Sequence, residues 1–196
     1  MKASFKRFAG IYAVLAGVAG LLYSLAFIVL KSDLLSALFL LLGAFFASSA
    51  LTELYGQLRE TDSSFALWGF LLALAGALGS LIHAGFDLAN AINPPAVVNA
   101  DLPSSIDPRG LATFGLAGIG LLVLAWLIVR SRKFPASFGY LGYLSALLMI
   151  ILYLGRLIVL QATSLGIVIP ALLEGFIINP LWYIWLGIIL LRRKQA

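Results

Sequence analysis

The third apolar segment of this sequence carries four polar residues at regular intervals. They are spaced three, four and three residues apart and are Ser80, His83, Asp87 and Asn90. Since residues three and four apart share one face of an α-helix, their side chains form a single polar stripe. A stripe this polar is expected to avoid lipid and to face the inside of a helix bundle. It is therefore the first candidate for a site that binds or transforms a ligand.

Three more polar residues interrupt later apolar segments. Arg156 stands four residues before the end of the fifth segment, and Glu174 lies about 12 Å into the sixth at 1.5 Å per residue. Asn179 precedes Pro180 near the middle of the sixth segment, where a helix break would free backbone carbonyls toward a cavity. All three are added to the candidate site.

The ionisable residues of this set allow two interpretations. Because an unpaired charge in hydrocarbon is costly, Arg156 is expected to pair with Asp87 or Glu174, with His83 hydrogen-bonded beside the pair. In the structural interpretation, this pair only holds helices together. In the functional interpretation, the same residues line a water-accessible pocket open to the outside, and the surplus carboxylate binds a cation or a proton. We favour the pocket, and the sequence leaves both open.

A catalytic, metal-binding or haem-binding role for these residues has less support. Ser80, His83 and Asp87 include the residue types of a hydrolytic triad, but one helix presents its side chains in parallel and does not converge them on one carbonyl. A metal site made by His83, Asp87 and Glu174 would require the third and sixth helices to touch. His83 could also be an axial ligand to haem or a chlorin, yet one histidine does not identify a cofactor. We assign no catalytic residue, no metal ligand and no cofactor.

Composition indicates the kind of scaffold that positions these residues. Of the 196 residues, 62% are hydrophobic and only 11% are charged, against about 25% charged in a soluble domain. The mean hydropathy is +1.07. The chain has no cysteine, which excludes disulfides and thiolate metal sites. The predicted environment is the lipid bilayer.

Six apolar segments follow one another and predict one transmembrane bundle over residues 1–196. Their limits are residues 9–30, 34–55, 65–92, 111–129, 138–160 and 166–191. Barrel strands are excluded because the segments are twice the length that a membrane strand needs. The fold class is therefore all-α, a polytopic membrane protein with six transmembrane helices. Residues 93–109, which contain four prolines, form its long external loop, either a lid or a plain connector.

The distribution of basic residues predicts the orientation. Ten of the thirteen lysines and arginines fall on one side of this map: Lys2, Lys6, Arg7, Arg59, Arg130, Arg132, Lys133, Arg192, Arg193 and Lys194. Only Lys31 and Arg109 fall on the other side. By the positive-inside rule, both termini are cytoplasmic and the polar stripe lies in the outer half. The net charge of +5 thus marks orientation, and no nucleic-acid partner is expected.

A weak internal similarity suggests three helical hairpins related by duplication. The segment Leu15–Gly20 of the first helix resembles Leu74–Gly79 of the third, and Tyr23 with residues 28–30 resembles Tyr153 with residues 158–160 of the fifth. Biased composition can produce the same matches.

Glu53 is an acidic residue near the cytoplasmic end of the second helix. We expect it to reach water or to pair with Arg59, and a role in an inner gate is the alternative.

The layout as a whole resembles an uncharacterised family of bacterial six-helix membrane proteins known only as a domain of unknown function. The resemblance is carried by the segment Glu53-Leu-Tyr-Gly-Gln-Leu-Arg59, by the glycine-rich third helix, and by the acidic sixth helix that ends in Arg192-Arg193-Lys194. It implies the six-helix fold and a multi-pass location in the bacterial plasma membrane, and it transfers no functional residue.

The sequence therefore predicts an integral membrane protein that binds or translocates a small solute, ion or proton through an outward-facing polar pocket. A non-catalytic accessory or assembly subunit, in a membrane complex or a homo-oligomer, is the alternative. An intramembrane enzyme acting on a lipid-like substrate is a third possibility.

Overall fold

The computed structural model describes residues 3–94, 111–158 and 164–192, without the side chains of Ala3, Leu111, Ala112 and Arg156. Within these ranges the chain is helical and contains no strand. The α-helices are α1 (Ala3–Ser24), α2 (Asp33–Leu58), α3 (Ser63–Ile92), α4 (Ala117–Ser131), α5 (Ala136–Ile158), α6 (Leu165–Leu173) and α7 (Asn179–Arg192). Three π-helical segments, Leu25–Leu30, Leu111–Leu116 and Glu174–Ile178, extend or join them.

Six of the helical stretches are long and apolar enough to cross a membrane. They are Ser4–Leu30, Asp33–Leu58, Ser63–Ile92, Thr113–Ser131, Ala136–Gly155 and Leu165–Arg192. The prediction of an all-helical fold with six such helices is confirmed for the described residues. The first and second helices each extend a few residues beyond their predicted limits, since polar residues at a helix end continue the backbone hydrogen bonding without being apolar. The predicted external loop falls mostly outside the described residues.

Two of the connections between spans are tight turns with side-chain caps. The hydroxyl of Ser32 accepts a hydrogen bond from Leu35 N at 3.4 Å at the start of α2, after Lys31 in a left-handed conformation (φ 50°). A carboxylate oxygen of Asp62 accepts one from Phe65 N at 3.1 Å at the start of α3. Such caps satisfy backbone N–H groups that a helix start leaves without partners. Short turns of this kind require antiparallel neighbours.

The six spans form a closed ring in chain order. Each span packs against the one before and the one after it, and α7 packs against α1 to close the ring. Across the middle, α2 touches α4 and α7 only slightly. This neighbour order includes the three proposed hairpins, but it pairs α2 with α3 equally well. The proposed duplication therefore stays a prediction.

Glycines bring the neighbouring helices close together. A Cβ atom added at Gly187 of α7 would lie 2.6 Å from the carbonyl oxygen of Gly10 in α1, and one added at Gly76 of α3 would lie 2.6 Å from the Cβ of Ala117 in α4. In lipid, where burial of apolar surface does not drive helices together, such close approach supplies the packing energy. These glycine contacts hold neighbouring helices of the ring together.

The two ends of the ring differ. The end that holds Arg7, Arg59, Arg132 and Arg192 is called the basic end, and the opposite end, where α2 begins and α3 finishes, is called the cavity end. The half next to the basic end has a packed core, whose largest fully buried side chains include Leu54, Leu124, Phe138, Trp182 and Leu186. Phe138 stacks on Trp182 with their ring centroids 5.2 Å apart. The half next to the cavity end has no comparable core of large, fully buried side chains among the described residues.

Candidate functional site

A cavity of about 830 Å³ lies inside the ring and reaches the cavity end. Its wall includes Asp33 in the first turn of α2 and Asn90 in the last turn of α3. It extends inward to Ala73 of α3 and Tyr183 of α7. Every span contributes lining residues, because the helices meet mainly at their sides and leave the centre of the ring to small side chains.

Six of the seven site residues predicted from the sequence line this cavity. They are Ser80, His83, Asp87, Asn90, Glu174 and Asn179. The first four come from α3, and the last two come from the sixth span. The side chain of Arg156 lies outside the described part of the chain, and so does the predicted ion pair that depends on it.

His83 and Ser80, two members of the polar stripe, each contact a residue of α3 itself. His83 Nε2 lies 3.3 Å from Asp87 Oδ2, and the two side chains are 22% and 38% exposed. Ser80 is buried, and its hydroxyl donates to the carbonyl oxygen of Gly76 at 3.2 Å. Because this hydroxyl is engaged by its own helix, the triad interpretation of Ser80 gains no support. The imidazole and the carboxyl group remain as polar groups on the cavity wall.

Glu174 is the most buried acidic residue of the cavity wall, with 5% of its surface exposed. Its Oε1 accepts a hydrogen bond from Ser145 Oγ at 2.5 Å and another from Asn179 Nδ2 at 3.3 Å. Its Oε2 is buried and has no hydrogen-bond partner among the described residues. One oxygen of this carboxyl is thus held in place, whereas the other is left without a partner.

The backbone explains how Glu174 reaches this position. It opens the π-helical turn Glu174–Ile178, in which the N–H of Asn179 donates to the carbonyl oxygen of Glu174. Pro180 follows, has no amide hydrogen, and crowds the carbonyl of the preceding turn; a wider turn accommodates it. The span is not broken beside Pro180, because the helix continues through this π-turn. Such turns are frequent at functional sites in helices.

The sequence prediction missed two residues of the site. Asp33 lines the cavity mouth, but an aspartate in the first turn of a helix is expected because it complements the positive end of the helix dipole, so it gives no other signal. Ser145, fully buried in α5, holds the Glu174 carboxyl. A lone hydroxyl in an apolar segment is commonly bonded to its own helix, so only the packing of α5 against the sixth span reveals its role.

Three acidic residues stand in the described part of the lining. Asp33, Asp87 and Glu174 contribute carboxyl groups, and no lysine or arginine is found among the described lining residues. No three His, Asp or Glu side chains of the described residues lie close enough together to hold a metal ion. The close packing between the third and sixth helices that a metal site of His83, Asp87 and Glu174 would require is not present among the described residues, since α3 and the sixth span are not neighbours in the ring.

A second buried carboxyl lies near the basic end, outside the cavity lining. Glu53 is 0% exposed, and its Oε1 accepts a hydrogen bond from Gln57 Nε2 at 2.7 Å. The expectation that Glu53 reaches water is wrong, because packing around α2 covers it completely. Its Oε2 has no hydrogen-bond partner among the described residues.

No protein-family model matches the sequence, and no match is found among curated proteins or solved structures. The resemblance to a bacterial six-helix family stays a prediction, and the functional argument rests on the cavity.

Proposed function

We propose that this protein is a multi-pass protein of the bacterial plasma membrane that binds a small solute in an outward-facing cavity, as a step in passing that solute across the membrane. Ligand sites in proteins are concave, measure about 300–1,000 Å³, and combine an apolar wall with a few polar groups. The cavity has a volume of about 830 Å³ and polar groups from two spans that are not neighbours in the ring. This convergence carries the proposal.

The orientation follows from charge. The described basic residues at the basic end are Lys6, Arg7, Arg59, Arg130, Arg132, Lys133 and Arg192, whereas Lys31 is at the cavity end. The positive-inside rule puts the basic end in the cytoplasm. The cavity then faces outward, and the packed core around Trp182 and Leu186 separates it from the cytoplasm.

Passage across the membrane requires a second arrangement of the helices. The ring supports such a change because the spans contact their neighbours and barely contact one another across the middle. Opening the basic half would separate its apolar core residues and would break the exposed contact between Lys133 and Glu60. Alternating access of this kind around a fixed central site is the usual behaviour of secondary transporters.

Cysteine accessibility tests the proposal, because the chain has no cysteine of its own. Single thiols are introduced along α3 at Ala77, Ser80 and Asn90, which line the cavity, and at Leu78 and Ile82, which are exposed on the outside of the ring. Intact cells are treated with a membrane-impermeant methanethiosulfonate. We expect the three lining positions to react and the two lipid-facing positions to stay unmodified, since a thiol reacts as the hydrated thiolate.

A further variant, Glu60→Cys, controls for orientation, because Glu60 is exposed in the turn at the basic end. It should react only after the cells are permeabilised. Absence of labelling at both Ala77→Cys and Ser80→Cys would overturn the proposal of a hydrated outward cavity. The accessory-subunit interpretation would then be preferred if the protein also copurified with a membrane partner.

A further inference from the structure

We infer that the solute is a lipophilic organic cation whose positive charge is neutralised by Glu174. This inference rests on the proposed function and adds the chemical class of the ligand. It draws on the charge of the lining, on the hydrogen bonding of Glu174, and on the aromatic and apolar character of the wall.

The lining attracts positive charge. Asp33 at the mouth and Glu174 deeper inside contribute carboxyl groups to the cavity wall. Glu174 lies nine residues from the start of α6, or about 14 Å. Because field lines concentrate in a cleft with low-dielectric walls, a carboxylate at this depth raises the local concentration of cations.

Among the described residues, the Glu174 carboxylate has fewer hydrogen-bond partners than its two oxygens can accept. A carboxylate has room for about four hydrogen bonds or charge contacts on its two oxygens. Ser145 and Asn179 both donate to Oε1, and Oε2 has none of the described residues as a partner. A buried charge left in this state is strongly destabilising, and a bound cation offsets that cost.

The rest of the wall favours an organic ion over an inorganic one. Tyr23, Phe27, Phe114 and Tyr183 contribute aromatic rings, and much of the remaining surface comes from alanine, glycine, leucine and isoleucine. Aromatic faces attract a cation that has lost its water shell. An inorganic cation such as Ca²⁺ requires six or more oxygen ligands, and the described residues hold no cluster suited to a metal ion.

Three probes of similar shape separate charge from size. Tetraphenylphosphonium is a cation, triphenylphosphine oxide is neutral, and tetraphenylborate is an anion. Their binding to the purified full chain in lipid nanodiscs is measured by equilibrium dialysis, with empty nanodiscs as the blank. We expect the affinity for tetraphenylphosphonium to be at least about tenfold higher than the affinity for the neutral probe. Tetraphenylborate should not bind above the blank.

Matched variants locate the charge and the cavity. Glu174→Gln should weaken tetraphenylphosphonium binding about tenfold and leave the neutral probe unchanged, whereas Glu53→Gln, an equally buried carboxyl outside the cavity, should change neither. Ala171→Phe fills the cavity wall and should block all binding; Ala89→Phe, on an exposed face of α3, should block none. Size-exclusion profiles confirm that each variant is folded.

The outcomes separate this inference from the proposed function. Equal binding of the cation and the neutral probe, both blocked by Ala171→Phe, would overturn the inference and leave the cavity as a binding site. Binding of no probe above the blank, or binding that Ala171→Phe does not alter, would overturn both. If Glu174→Gln does not fold, the wild-type comparison of the cation with the neutral probe still decides.

Discussion

Ser145 Oγ donates a hydrogen bond of 2.5 Å to Glu174 Oε1 and thereby connects α5 with the π-helical turn of the sixth span. Both residues are buried, and they lie 29 positions apart in the chain. The bond holds the carboxyl group at the cavity wall, at the level of the π-helical turn that begins with Glu174. The hydroxyl of Ser145 is thus a positioning group for the proposed cation site.

Removing this hydroxyl should destabilise the protein. Ser145→Ala leaves a buried carboxyl with only the weaker Asn179 contact, and the expected loss is about 1–3 kcal/mol of unfolding free energy. Unfolding in mixed micelles with increasing denaturing detergent measures it. Ser49→Ala is the control, because Ser49 Oγ bonds to Phe46 O in its own helix. An equal effect in both variants would contradict the positioning role of Ser145.

Two glycines of α3 should respond oppositely to alanine. Gly76→Ala forces a methyl group against Ala117 of α4 and should cost about 1–3 kcal/mol. Gly85 has nothing within 4 Å of an added Cβ, so Gly85→Ala should raise stability by up to about 1 kcal/mol through helix propensity. Thermal unfolding of the two variants in one detergent measures both. A stabilised Gly76→Ala would show that α3 and α4 are not packed as described.

The Glu53–Gln57 pair should behave as a buried polar pair whose members need each other. Gln57→Leu removes the donor to Glu53 Oε1 and should lower stability by about 1–3 kcal/mol. Adding Glu53→Leu should recover part of that loss, because two apolar side chains leave no buried group without a partner. A double-mutant cycle on thermal unfolding gives the coupling. Additive losses would mean that the hydrogen bond contributes nothing.

The basic end contains a contact that should depend on pH. Lys133 Nζ donates to Glu60 and, at 3.1 Å, to the carbonyl oxygen of Gln57, so it links the turn after α2 to the turn after α4. The hydrogen bond and charge of Lys133 hold the pKa of Glu60 below its ordinary value of 4.5. A carboxyl with a lowered pKa stabilises the folded state above its unfolded pKa. That contribution is lost as the pH falls through the lower folded value.

The corresponding experiment compares wild type with Glu60→Gln as the pH is lowered from neutral through the folded-state pKa of Glu60. The variant should be slightly less stable at pH 7, and the difference should shrink as Glu60 of the wild type becomes protonated. The contact is exposed, so the difference should also shrink in high salt. A difference that does not change with pH would show that the charge of Glu60 is not its cause.

The sequence predicted the scaffold well because its signals are local. A helix must satisfy its backbone hydrogen bonds within itself to lie in lipid, so uninterrupted apolar segments of about 20 residues suffice to identify it. The spacing of Ser80, His83, Asp87 and Asn90 likewise fixes a common face without knowledge of any neighbour. The second helix ends at Leu58, three residues beyond its predicted limit, because polar residues continue a helix as readily as they end it.

The relations between spans could only be decided by the tertiary structure. Nothing in the sequence around Ser145 indicates that this residue contacts Glu174. The sequence predicts that Glu53 reaches water or pairs with Arg59, because the packing that buries it cannot be inferred from α2 alone. The closed ring is set by the close contacts of Gly10 with Gly187 and of Gly76 with Ala117. Because van der Waals packing acts over a few ångströms between residues distant in the chain, it decides which helices are neighbours and leaves the cavity where they do not meet.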